Sequence, residues 1–337
     1  MDNPVLVEVL RGGLVESRHH GAVAVVDAGG RAVLSLGDVE RPVFPRSAVK
    51  ALQALPLVES GAADACGLTD EELAVACASH GGEPGHVAAV HSMLARAGLD
   101  PAALRCGAHP PLNRAAATAL ARAGIEPSAL HNNCSGKHAG FLCLACRLDA
   151  DPRGYCEPGH AVQREVRAVI ESLSGARLSD ECRGIDGCSV PTWALPPKNL
   201  ALAFARFGTG TGLAPERAKA VARLRAVCAA HPWHVAGTDR FCTETMRLFG
   251  DRVFVKTGAE GVFCAALPEQ GLGVALKCED GATRASEVAI AAVIARFVGL
   301  TDAERGGFAR YLRPSLRNWN GIEVGAVRAV APLLAEP

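Results

Sequence analysis

The stretch FPRSAVKAL, residues 44–52, holds Ser47 and Lys50 three positions apart. On a helix that spacing puts both on one face. A free serine hydroxyl is a weak nucleophile, and a neutral amine beside it can accept its proton. The same spacing also occurs on ordinary amphipathic helices, so the pair needs company to mean anything. Company comes late in the chain, where RVFVKTG carries Lys256, Thr257 and Gly258. A lysine on a strand, followed shortly by glycine, can line a cleft that a substrate backbone enters. By itself it is equally an edge-strand lysine.

S-x-x-K at a helix start together with K-T-G on a late antiparallel strand is the constellation of serine β-lactamases and penicillin-binding proteins. Their helical part also holds an S-x-N element. The nearest match is Ser79 in CASHGGEPGH, whose third position is Gly81 and not Asn. That departure argues against an ordinary β-lactamase. It leaves Ser79 to pair with Lys256, giving two Ser–Lys pairs. Read alone, Ser79 is a serine at a helix end before a His-Gly-Gly turn.

A third region is rich in soft donors. HNNCSGKHAGF brings Cys134, Lys137 and His138 within about one turn. Some fifty residues on, GIDGCSVP holds Asp186 and Cys188 in a loop between Gly and Pro. Two loop cysteines among polar residues suit a soft or borderline metal such as zinc. Neither belongs to a C-x-x-C pair. Cys143 and Cys146 do, but inside FLCLACRL they read as a core helix before they read as a redox motif. His231 and His234 in HPWH are further candidate ligands, with a Pro-Trp turn carrying surface histidines as the plainer reading.

These residues need a scaffold. The chain has 337 residues, 49% hydrophobic and 21% charged, an ordinary globular composition. With aromatics at 4%, Leu, Val and Ala must fill the core. Lys+Arg and Asp+Glu are both 35, so nothing in the charge balance points to nucleic acid. MDNPVLVEVLRGG lacks a basic segment followed by an apolar run, and no apolar span is long enough for a membrane. The expectation is a cytoplasmic protein whose 13 cysteines are mostly free thiols or metal ligands.

VLVEVLRGG and VAVVDAGGRAVLSLG read as strands, the latter a hairpin about Gly-Gly. From about Ser47 to about Val227 the period turns helical, SAVKALQALPLVESG being one such helix. GVFCAAL and GLGVALKC form a second hairpin joined by PEQ, and RASEVAIAAVIARFVGL closes with a long helix. The expected fold is α+β. An antiparallel sheet from both chain ends is flanked by helices, with a large helical region inserted. As one domain spanning 1–337, it divides into a sheet subdomain at about 1–46 and 245–337 and a mostly helical one at about 47–244.

Taken in order, FPRSAVKALQALPLVESG, CASHGGEPGH, HNNCSGKHAGFL, GIDGCSVPTWALP, AGTDRFCTE and VKTGAEGVF strongly resemble the Rhizobium etli-type, or class 3, L-asparaginases over nearly the whole chain. The resemblance implies a β-lactamase/glutaminase-like fold, a homodimer, and hydrolysis of L-asparagine to L-aspartate and ammonia. It implies Ser–Lys pairs Ser47–Lys50 and Ser79–Lys256, and zinc held by Cys134, Lys137 and Cys188 with water completing the shell. Lysine is an unusual ligand because its amine must lose a proton to bind. Charge complementarity assigns Arg46 to the substrate α-carboxylate and Asp186 to its α-ammonium, and His138 is counted with the substrate-binding residues. Two rivals stay open: a serine hydrolase of β-lactams or peptides, and a non-enzymatic zinc-binding scaffold.

Overall fold

The computed structural model describes residues 2–334. The backbone forms two compact units. The sheet unit takes the chain up to Ala48, the segment Leu195–Thr209 and everything from Val255 onward. The helical unit takes Val49–Ala194 and Gly210–Phe254. The excursion at Leu195–Thr209 therefore goes with the sheet, although it lies inside the stretch of helical period.

Ten strands occur in chain order: β1 Val5–Arg11, β2 Leu14–Asp27, β3 Ala32–Leu36, β4 Arg183–Ile185, β5 Pro191–Trp193, β6 Phe254–Thr257, β7 Val262–Leu267, β8 Leu272–Cys278, β9 Ser315–Arg317 and β10 Glu323–Ala329. The sheet unit holds eight of them in the order β6-β7-β8-β2-β1-β10-β9, with β3 also on β2. β2 organises it. The first half of β2 alternates exposed and covered residues and pairs with β1. Its second half, GAVAVV, is buried on both faces and pairs with β8 and β3.

Both expected hairpins form. β2 turns into β3 where Asp27 Oδ1 accepts from the amides of Gly29 and Arg31. β7 turns into β8 at Pro268–Gly271, with Gly271 at φ +67° donating to Pro268 O at 3.1 Å. The expected closing helix forms at Thr283–Phe297 but does not end the fold. A helix at Asp302–Leu312 and strands β9 and β10 follow it, and β10 pairs antiparallel with β1, Val7 opposite Ala329.

The helix Pro197–Thr209 packs on β8, β2 and β7. Its approach is set by Gly273 in β8. A Cβ there would fall within the contact radius of Ala201 O and Ala205 N, both helix backbone. Backbone cannot step aside as a flexible side chain can. We expect Gly273→Ala to cost about 3 kcal/mol or more, read as a lower urea midpoint. An unchanged midpoint would mean that the helix is not seated this closely.

In the helical unit the helix Ser135–Arg147 is buried on nearly every side. Gly136 lets its first turn press onto the backbone of Val75, and Gly140 lies against Leu57 and Ala76. Two glycines four apart thus seat this helix on the helix Asp70–Ala76, which a Thr69–Glu72 capping box starts. The strands β4 and β5 pair as a small hairpin, Gly184 opposite Thr192, where the sequence suggests only a loop. The stretch SAVKALQALPLVESG is not one helix. It runs as a 3-10 turn Arg46–Val49, a short helix Lys50–Gln53 and a second at Leu55–Glu59, with Pro56 breaking the amide ladder. All thirteen cysteines are unbridged, and no described helix is long and apolar enough to cross a membrane.

Candidate active site

In the sheet unit, Ser47 sits half-buried on the 3-10 turn, directly after Arg46. Arg46 has φ +50°, a left-handed conformation that costs a non-glycine residue energy and is commonest where function demands it. Lys256 is buried on β6, and its Nζ donates to Thr257 O at 3.0 Å. Gly258 explains the third letter of K-T-G. A Cβ there would lie 2.6 Å from Pro45 O and 3.3 Å from Ala48 N. The glycine admits the chain's own turn around Ser47, where the sequence suggests room for a substrate backbone.

In the helical unit, Lys50 is completely buried. Its Nζ donates to Ser79 Oγ at 3.0 Å, to Asn133 O at 3.2 Å and to Asn133 Oδ1 at 3.4 Å. An ammonium has three N–H donors, and here each has an acceptor. Ser79 is fixed from behind, its amide donating to Val235 O at 3.0 Å. The structure thus joins Ser79 to Lys50 directly. Asn133 is the residue that sequence reasoning overlooks. Its Oδ1 also lies 3.2 Å from Cys134 Sγ, so one amide side chain links the lysine to the thiols. Beside it, Asn132 Oδ1 accepts from the Cys134 amide at 2.8 Å, an Asx turn just ahead of the helix, whose N-cap position is Cys134.

Cys188 projects from the tip of the β4–β5 hairpin. The turn is closed by Ser189 N to Asp186 O at 2.8 Å and Asp186 N to Val190 O at 2.9 Å, with Ser189 at φ +74°. Lys137 Nζ reaches Cys188 Sγ at 3.0 Å, and Asp186 Oδ2 lies 3.8 Å from the same sulfur. Cys134, Lys137 and Cys188 are all buried. A hydrogen bond from Cys188 holds the Cys134 thiol well below its usual range, against burial and with help from the Lys50 and Lys137 charges. The same bond pushes Cys188 up. Burial works to lower the Lys137 pKa, but the adjoining sulfurs outweigh it and the net shift is upward. Negative charge in the cluster is thus favoured on the sulfurs, opposite the Lys137 amine. Two sulfurs and one nitrogen converging in a buried cluster suit zinc, whose binding would require Lys137 to surrender its proton. Among the described residues no group of three or more His, Cys, Asp and Glu gathers around a common point, so a metal here would need Lys137.

His138 is fully buried, with Nδ1 2.6 Å from Tyr155 Oη. Burial, then the charges of Lys137 and Lys50, keep it neutral. Its Nε2 has no hydrogen-bond partner among the described residues.

His80 and His86 lie deeper. Their rings stack at 4.9 Å, and His86 stacks on Trp233 at 4.0 Å. Burial lowers both pKa values, that of His86 to about 4 and that of His80 well below the usual range. A depressed histidine pKa means that the unfolded chain takes up the proton first. Stability from these rings is complete above about pH 6.5 and drains as pH falls toward 4, at up to about 1.4 kcal/mol per pH unit per ring. Urea unfolding at pH 7.5, 6 and 5 should show that loss. A flat profile would mean that the charged rings are accommodated in place.

Several solved structures are similar to this chain. One is Mglu in its native form, at 14% identity over 80% of this chain and 62% of that chain, with TM-score 0.44. The chain thus spans just under two thirds of Mglu. A beta-lactamase from Mycobacterium bovis matches at 12% identity over 86% and 94%, TM-score 0.39. A class C beta lactamase from Rhodobacter sphaeroides matches at 16% identity over 80% and 92%, TM-score 0.38. No curated protein sequence matches the chain. Residues 7–329, nearly the whole chain and every candidate site residue named above, match the model of L-asparaginase II, and the chain belongs to that family of amidohydrolases.

Proposed function

We propose that this protein hydrolyses the side-chain amide of L-asparagine to L-aspartate and ammonia. The observation that carries this reading is the buried Lys50–Ser79 hydrogen bond, tied through Asn133 to Cys134. Ser47 is assigned the attack on the amide carbon. Lys50, three residues on, takes the hydroxyl proton as a neutral amine, which requires that it first lose one of its own protons to solvent and with it one of its three donor bonds. The 3.4 Å bond to Asn133 Oδ1 is the longest of them. Ser79 relays a proton to and from Lys50, and Lys256 contributes a fixed positive charge. The C–N bond breaks, the nitrogen leaves as ammonia with a relayed proton, and water then cleaves the aspartyl ester to restore Ser47. Arg46 is assigned the α-carboxylate and Asp186 the α-ammonium. His138 donates or accepts at the substrate through Nε2, the nitrogen that Tyr155 leaves over.

Zinc bound by Cys134, Lys137 and Cys188 would supply a fixed positive charge that shapes the site and tunes affinity. Cys134→Ser and Cys188→Ser should each lose zinc by metal analysis. Each should also raise KM more than it lowers kcat. Stoichiometric zinc in the double variant would place the ligands elsewhere, and a collapse of kcat alone would make the metal catalytic.

Unbridged thiols support a cytoplasmic protein, and the family resemblance supports a homodimer. The deciding measurement is ammonia release from L-asparagine against L-glutamine, with and without zinc. Release that prefers asparagine supports the proposal. Nitrocefin turnover with no ammonia from asparagine would transfer the chain to the β-lactam hydrolases.

A further inference from the structure

The imidazole of His80 stands beside Ser79, yet the chemistry above does not use it. Three contacts fix it. The Gly82 amide donates to Nδ1 at 3.1 Å, so that nitrogen is the acceptor and the ring proton sits on Nε2. Nε2 lies 3.0 Å from Ser135 Oγ and donates to it. Ser135 passes its own hydroxyl proton to Leu130 O at 2.9 Å. The donors therefore run one way, from Gly82 through His80 and Ser135 to Leu130. The ring cannot tilt out of this line, because the His86–Trp233 stack holds one face of it. His86 is itself pinned, its Nε2 3.1 Å from Trp233 O.

The two ends of this chain of bonds matter. Gly82 closes the loop that starts at Ser79. Ser135 is the first residue of the helix that carries Lys137, and it follows Cys134 directly. The His80 amide also reaches Asn133 O at 3.3 Å, the same carbonyl that accepts from Lys50.

We infer that His80 is a positioning residue, whose imidazole ties the Ser79 loop to the helix start bearing Cys134 and Lys137 alongside the bond from its own amide to Asn133 O. With Asn133 it holds the Ser79–Lys50 bond and the thiol cluster in one frame. The catalytic consequence rests on the amidohydrolase reading, while the tie itself does not.

Two near-isosteres separate the two bonds. His80→Asn keeps an oxygen where Nδ1 accepts from Gly82 but loses the donor to Ser135. His80→Gln keeps a nitrogen donor near Nε2 and gives up the Gly82 bond. Ser135→Ala cuts the tie from its far end without touching the stacked rings. In the full chain, peptides covering 79–83 and 130–137 should exchange amide hydrogen faster in His80→Asn and Ser135→Ala, with 161–174 unchanged. In the same two variants kcat for asparagine should fall about 10- to 100-fold, with KM moving less than about threefold. His80→Gln should recover most of both losses.

Wild-type exchange in His80→Asn and Ser135→Ala would overturn the inference. So would a His80→Gln variant as impaired as His80→Asn, which would reduce the ring to packing. If the wild type releases no ammonia from asparagine, the proposed activity falls, and the exchange data still decide whether the tie exists.

Discussion

Ser47→Ala should abolish the proposed asparagine hydrolysis, with kcat falling on the order of 10⁴-fold or more, while the unfolding midpoint and any zinc content should stay as in the wild type. The expectation rests on the turn itself. Ser47 follows a residue held at positive φ and precedes Lys50 by three positions. It is half-buried on a surface turn, so truncating it should cost the fold little. Ser79 is the serious rival, because it is the serine that already accepts from Lys50. The paired measurement is therefore Ser79→Ala. A relay serine leaves residual turnover when removed, whereas a nucleophile leaves none above the background of bound substrate. Activity surviving in Ser47→Ala and lost in Ser79→Ala would exchange the two roles.

Lys50→Met should lower kcat by about 10²- to 10⁴-fold, the usual worth of a positioned general base. The methionine approximates the buried volume but withdraws one donor each from Ser79 Oγ, Asn133 O and Asn133 Oδ1, which should cost a further 1–3 kcal/mol or so of stability. Lost folding and lost chemistry must be separated, and Lys50→Arg does this. Arginine keeps the charge and the donors yet does not give up a proton at working pH. Recovered stability with activity still absent identifies a base. Recovered activity in Lys50→Arg would show that position 50 needs only a positive charge, and the proton acceptor would be sought elsewhere.

Much of this was legible in the sequence because the signals were local. Alternation about Gly-Gly and about PEQ marks two hairpins, and turn geometry leaves them little choice of register. Cys134 and Lys137 share a helix turn, so their proximity follows from spacing. Other features depend on partners distant in sequence. β4 and β5 are three residues each, too short for period to show. Nothing in PPKNLALAFARFGT says that it packs on β8, since that depends on Gly273 sixty-odd residues later. β10 lies beyond a helix that already looks final. At the site, S-x-x-K points to Ser47 and Lys50, but the bond from Lys50 to Ser79 spans three intervening helices. Asn133 carries no signal of its own in the sequence, and only its close neighbours Lys50 and Cys134 give it a task.

The pairing of β1 with β10 has a consequence for biosynthesis. β1 leaves the ribosome some three hundred residues ahead of β10, and its partner on one side follows at once as β2. The strand on its other side is not made until residues 323–329. At 5–20 residues per second that is a wait of roughly 15–60 s. Through it, the backbone amides and carbonyls along that flank of β1 have no native partner. A run such as VLVEVLR left bare for that long is a template for the same run on a neighbouring nascent chain. Slower translation or crowded polysomes should therefore cut the yield of active protein even where the finished molecule is stable, and a chaperone that covers the first thirty residues should restore it.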